Sequence, residues 1–166
     1  MKKLFLKQKF EFTAVEKFTV KNENEEDCYI IQGNAVQVGG KTLHILDMNE
    51  NKLLSVHQKL LALMPKFFVY KGEAQEQVAE IQKKMAFLGS KYIIVGPGWE
   101  VKGKFTDHDY NITKDGNQVA ALHKAWISLG DCYEIDIEDG VDDTLVLAVV
   151  LAINMVLENE AMAADS

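Results

Sequence analysis

No arginine occurs in the 166 residues; all 18 basic residues are lysine. Bidentate recognition of phosphate or guanine leans on the planar guanidinium fork. Its absence disfavours sequence-specific DNA binding, and no nucleic-acid partner is expected. Lysine can still meet a phosphate as a point charge. Cysteine is scarce: Cys28 and Cys132 stand far apart, without CxxC or Cys/His spacing. They read as buried, reduced thiols rather than as a metal or redox site. Only two prolines occur, with no low-complexity tract, which argues against disorder. The opening MKKLFLKQKF has no apolar run of signal-peptide length, because Lys7 and Lys9 interrupt it. A cytoplasmic protein is expected. Catalytic signatures are missing as well: no G-x-S-x-G, no P-loop, no HExxH and no dinucleotide fingerprint. His44, His57, His108 and His123 lack ligand spacing on a common element. These absences predict a non-enzyme with no catalytic residue, no cofactor and no metal.

Positive charge also runs out along the chain. After Lys124 there is no basic residue, while ten acids follow. Five of them crowd the segment DIEDGVDD, 136–143. Calcium takes six to eight oxygens, and in the helix–loop–helix calcium motif a glycine stands at position 6 of the loop. Counted from Asp136, Gly140 is at position 5. The segment reads better as an outward strand face running into helix-capping acids.

Next comes the greasiest stretch, DDTLVLAVVLAINMVLEN. From Leu145 to Leu157 it is apolar except at Asn154. Thirteen helical residues span about 20 Å, short of the roughly 30 Å of a bilayer core, and no basic residue anchors either side. A strand would not run so long without a turn. Asp142 and Asp143 suit a helix start, where carboxylates meet free N–H groups and the positive dipole end. A helix is expected over about 142–158. It is apolar on nearly every face, so it must be surrounded. Asn154, its lone polar residue, is expected to be buried and bonded to its wrapping.

An internal repeat supplies the wrapping. HQKLLALMPKFFVY (57–70), QKKMAFLGSKYIIV (82–95) and HKAWISLGDCYEID (123–136) share one frame, anchored on Lys59, Lys84 and Lys124. The frame extends to Lys9, Asn34 and Lys104, giving six units spaced 25, 25, 25, 20 and 20 residues apart. Apolar residues recur five, three and one positions around each anchor, the alternation of a strand with one face inward. A turn and a second strand follow, with inner faces expected at Phe18/Val20, Leu43/Ile45, Phe68/Tyr70, Ile93/Val95, Tyr110/Ile112 and Tyr133/Ile135. Six hairpins give about twelve antiparallel strands. A barrel of that size can hold a central helix, and a closed barrel has no exposed edge. The fold class is therefore mainly β: one domain over 1–166, a closed antiparallel barrel of about twelve strands around the C-terminal helix.

The repeats, and above all the ending HKAWISLGDCYEIDI…DDTLVLAVVLAI, resemble the LURP-one-related proteins of the tubby C-terminal-like superfamily, which also includes phospholipid scramblases. The similarity runs from Leu4 to Leu157. It implies a twelve-stranded barrel around a C-terminal helix. Tubby domains bind phosphoinositide head groups through basic residues, but their motif has no residue-by-residue match here. Scramblases carry a Cys-rich palmitoylated segment, absent here, and an acidic calcium-binding segment echoed only in DIEDGVDD.

The recurring anchors Lys59, Lys84, Lys104 and Lys124, with Lys9, lie on alternate strands. In a closed barrel they approach a belt that could attract anionic lipid or a phosphorylated ligand; a plain solvated outer face is the competing reading. The residues just before the anchors, among them Gln58, Lys83 and His123, point inward by parity and could line a small pocket. A binding or regulatory module touching anionic lipid is the leading functional expectation. An interaction scaffold for a protein partner, with no small ligand, is the alternative.

Overall fold

The structure, a computed structural model, describes residues 1–7, 17–33, 40–59, 62–128 and 130–165. Twelve strands form a closed antiparallel barrel: β1 (Lys2–Lys7), β2 (Lys17–Lys21), β3 (Asp27–Gly33), β4 (Thr42–Leu46), β5 (Lys52–Gln58), β6 (Lys66–Lys71), β7 (Glu76–Ala86), β8 (Gly89–Val95), β9 (Trp99–Lys104), β10 (Asp109–Lys114), β11 (Asn117–Ile127) and β12 (Gly130–Ile137). Each strand pairs with its sequence neighbours, and β1 closes on β12, Lys2 facing Ile137 and Lys7 facing Cys132. An α-helix, α1 (Asp143–Ala164), follows.

The helix is enclosed. Val146 to Ile153 are eight consecutive residues at 0–3% exposure, so every helical face is covered over more than two turns. Strand residues from all round the barrel, such as Leu6, Ile31, Val56, Ile81, Val101 and Ile135, share one core with it. Asp142 starts it: its side chain accepts from the backbone N–H of Thr144 and Leu145, as an N-cap acid does. The helix continues beyond the expected end near residue 158, to Ala164. The change from apolar to polar at Glu158 marks where the barrel stops, not where the helix does; nothing from Glu158 to Ala164 is a helix breaker. At 22 residues, with mean hydropathy 1.8, it is long and apolar enough to cross a membrane. Its location answers the spanning question where its length does not: the apolar part is already sheathed in strands. Asn154 is half-buried rather than buried.

The inner faces hold in the first two and last two units, where Val20, Leu43, Ile45, Tyr110, Ile112, Tyr133 and Ile135 are buried. In the third and fourth, the neighbours of the expected residues face inward: Phe67 and Val69 instead of Phe68 and Tyr70, and Tyr92 and Ile94 instead of Ile93 and Val95. Met85 is 72% exposed at the end of β7. In those two units the second strand returns one residue sooner: Val56 and Ile81, three before their anchors, face Val69 and Ile94, ten after, whereas Ile31 faces Ile45, eleven after its anchor. The first strands of several units also carry β-bulges. Cys28, Leu53 and Val78 are each an extra residue opposite a pairing step of the adjacent strand, 25 residues apart, one per unit. In the last unit the extra residue is Val119, five before its anchor rather than six. One residue of difference inverts every side chain beyond it. Thus Lys84 faces out, whereas in β11 Leu122 and Lys124 share the face of the buried Ile135 and Tyr133. His123 turns outward instead, opposite Glu134. The bulges also sharpen the local twist that a closed barrel requires.

Candidate functional site

The two barrel ends differ. At the end where the helix enters, Asp143 bonds Lys2 and the Tyr29 hydroxyl, and the chain's amino group meets Asp139 at 2.6 Å. Asp136 is held by Lys3 and His123, and Asp142 caps the helix. Four acids of DIEDGVDD are thus engaged by different partners, not gathered round one point.

At the other end the helix leaves, and there the lysines collect. By register Lys59 lies opposite Lys66, because Gln58 faces Phe67. Lys83 is on the inner face of β7 and meets Glu160 of the emerging helix. With Lys84 these four line a cavity of about 320 Å³ beside Leu63 and Met64. Lys66 is paired to Glu80 at 3.0 Å. Lys59 and Lys84 have no acidic partner within 4.0 Å among the described residues; Lys59 instead lies 6.0 Å from the Phe68 ring centre. Outside the cavity Lys84 is directly opposite Lys91, and the register places Lys91 beside Lys102 on β9. Three cations in a row repel one another; among the described residues Glu100, 3.1 Å from Lys91 and from Lys102, offsets them.

Apolar side chains project from the same end. Leu63 is 101% exposed, and Phe87 and Leu88, at the tip of the β7–β8 hairpin, are 100% and 89% exposed. Large residues at a two-residue turn, where small polar ones are usual, have no explanation in packing. Met85 and Trp126 add to the rim.

Of the four sequence-predicted lysines, the structure brings Lys59 and Lys84 together. Lys104 is on the outer face of β9 opposite Asp109. Lys124 is on the inner-face side of β11 at the barrel rim, opposite Tyr133 and exposed. His108 stacks on Tyr133, ring centres 4.4 Å apart, and burial, with Lys124 nearby, pulls its pKa below 6.5. Lys9 lies outside the described residues. Gln58 and Lys83 face inward as expected, but with His123 turned out the three cannot form one pocket. Sequence reasoning missed Lys66, and it placed Lys83 in a pocket with Gln58 and His123 rather than beside Lys59 and Lys84. A second cavity, about 480 Å³, opens beside β1 and β2 against Phe5, Leu6 and Phe18, with Lys7, Lys17 and Lys21 at its edge. Glu50 and Asp27 already pair two of these lysines.

On the opposite wall, His123 Nε2 lies 2.8 Å from Glu134 and 3.0 Å from Asp136. Burial alone would lower the His123 pKa, but its bond to Asp136 and the two acids leave it raised above 6.5.

These features define a class of protein: an antiparallel barrel of twelve strands threaded by its own apolar C-terminal helix. The family described as LURP-one-related matches residues 2–154, and the chain belongs to it. It is 29% identical over 160 residues to protein YxjI of Bacillus subtilis, covering 96% of each chain. It is 27% identical over 154 residues to protein LURP-one-related 6 of Arabidopsis thaliana, covering 84% of this chain and 81% of that one. An X-ray structure of another Arabidopsis thaliana protein shares the fold, with a TM-score of 0.66 at 11% identity over 93% of this chain and 90% of that one.

Proposed function

We propose that the protein is a non-catalytic binding module that docks the helix-exit end of its barrel on an anionic lipid surface. In this reading Lys59 and Lys84, with Lys91 and Lys102 alongside, meet phosphate head groups as point charges. Leu63, Phe87 and Leu88 enter the interfacial layer, as apolar side chains beside a basic patch do in peripheral proteins. The observation that carries the reading is the Phe87–Leu88 tip, almost wholly exposed three residues along the hairpin from Lys84, which shares its cavity with Lys59 and like it has no acidic partner among the described residues. An exposed apolar patch asks for a partner. Its lysine surround favours an acidic surface, and the intracellular leaflet, facing the cytoplasm, presents one.

Flotation with vesicles tests it. Binding is expected to vesicles containing phosphatidylserine and not to neutral phosphatidylcholine, and to weaken with salt. Withdrawing two large side chains from an apolar layer forfeits about 1.5–3 kcal/mol each at full burial, so F87S/L88S should weaken binding at least about tenfold. K59E/K84E should abolish the preference for anionic lipid. No binding to anionic vesicles at low salt overturns the proposal. The same patch holding a protein instead, as a scaffold would, predicts loss of a protein complex in F87S/L88S with no lipid dependence.

A further inference from the structure

Glu134 and Asp136 are two residues apart on β12 and so project from the same, outer face. On β11 His123 stands directly opposite Glu134; on β1 Lys3 stands directly opposite Asp136. His123 Nε2 is 2.8 Å from Glu134 Oε2 and 3.0 Å from Asp136 Oδ2, and the three ligand atoms lie within 4.8 Å of one another. Around a metal ion with bonds of about 2.1 Å, neighbouring ligand atoms are about 3 Å apart. Little movement separates the observed arrangement from a coordinated one.

Two further contacts make Nε2 a ligand rather than a bystander. His123 Nδ1 lies 3.3 Å from the Lys124 carbonyl oxygen. A carbonyl only accepts, so that bond places the ring hydrogen on Nδ1 and leaves the Nε2 lone pair facing two carboxylates. Those also only accept. A cation must therefore sit between them: a second proton on the ring, or a metal ion. Lys3 Nζ meanwhile donates to the far oxygens, 3.1 Å from Glu134 Oε1 and 2.9 Å from Asp136 Oδ1. It thereby aims Oε2 and Oδ2 at the imidazole, the orienting part that outer contacts play in metal sites.

We propose that His123, Glu134 and Asp136 form a binding site for a divalent first-row transition metal ion of the zinc type. One imidazole with two carboxylates suits such ions, whereas calcium and magnesium prefer oxygen alone. The side chains are 38%, 15% and 19% exposed, so the strands wall the site on one side and water fills the remaining positions. The ion can enter and leave without unfolding. The site is on β11 and β12, apart from the lysine cavity on β5–β7, and does not depend on lipid binding.

The test uses tag-free, chelator-treated protein. Calorimetric titration with Zn²⁺ is expected to saturate at one equivalent. Co²⁺ is expected to shift the NMR signals of the His123 ring and leave those of His57 in place. H123A and E134Q should each weaken Zn²⁺ binding at least tenfold, while H57Q binds as the parent does. Either variant can be checked for folding by its melting curve, and E134Q keeps the shape of the side chain. Absence of a saturable Zn²⁺ isotherm, or full binding retained by H123A, overturns the proposal.

Discussion

Replacing Leu147 by alanine tests the sheathed helix directly. Leu147 is fully buried, with Val146 and Ala148 beside it equally buried. Losing three carbons forfeits about 0.8 kcal/mol each in transfer energy, about 2.4 kcal/mol in all. The rest depends on how far the surroundings collapse into the void; buried leucine-to-alanine changes range over about 2.7–5.0 kcal/mol. Here the wall is a ring of strands paired to one another all the way round. No segment can move inward without breaking ladder hydrogen bonds, and the helix, touched on every side, cannot shift toward one wall without leaving another. The loss should therefore fall at the upper end, about 4–5 kcal/mol. Urea denaturation followed by circular dichroism reads it as a fall in midpoint at constant slope. Should the variant be too unstable to measure, Ile153→Val, also at a fully buried position, should cost about 1 kcal/mol. A loss below about 2 kcal/mol for Leu147→Ala would mean that the helix face is soft or open, and the reasoning fails.

Four further outcomes are expected. Gly103 has φ +151°, and a Cβ there would fall 2.5 Å from the Asp109 carbonyl oxygen and from the Tyr110 Cα; both are backbone, so Gly103→Ala should cost more than about 1 kcal/mol by urea denaturation. Asp142→Ala removes the helix cap and should lower stability by about 1 kcal/mol, whereas Asp142→Asn keeps most of it. Because Asn154 is half-buried, Asn154→Asp should cost only about 1–2 kcal/mol at neutral pH, and a collapse in melting temperature would show its surroundings to be dry. His108 prefers its neutral form in the fold, held there by burial and by Lys124, with only Asp107 opposing. Its folded pKa lies below 6.5, so its contribution is whole above 6.5 and is lost as pH falls through the folded value. The urea midpoint of His108→Asn, a residue that tolerates the φ of +53° at this position, should fall less than that of the parent between pH 7 and 5.

The barrel and its helix were legible because their signals are one-dimensional. Alternation of period two repeats six times, and a run of apolar residues with no polar face must be enclosed. What escaped was phase. Val119 sits one place later than the repeat implies, and that single residue decides whether His123 or Lys124 takes the inner-face side. No local propensity marks a bulge in QVA, 118–120. The lysine cavity was half legible: Lys59 and Lys84 recur at the anchor positions, but Lys66 and Lys83 reach it from a neighbouring strand and from the inner face. The metal-type cluster could have been found. Setting Ile127 opposite Gly130 pairs His123 with Glu134 by simple counting, and Asp136 follows on the same face.

The order of the chain has a consequence for synthesis. The core on which every strand closes is its last element, and Lys2 finds its partner only at Ile137. On the ribosome, at about 5–20 residues per second, all twelve strands emerge with nothing to wrap. The apolar faces of six finished hairpins then stand exposed for several seconds, a natural load for chaperones that hold nascent chains. Any message broken before the codon for Asp143 would yield a product that no amount of time can fold.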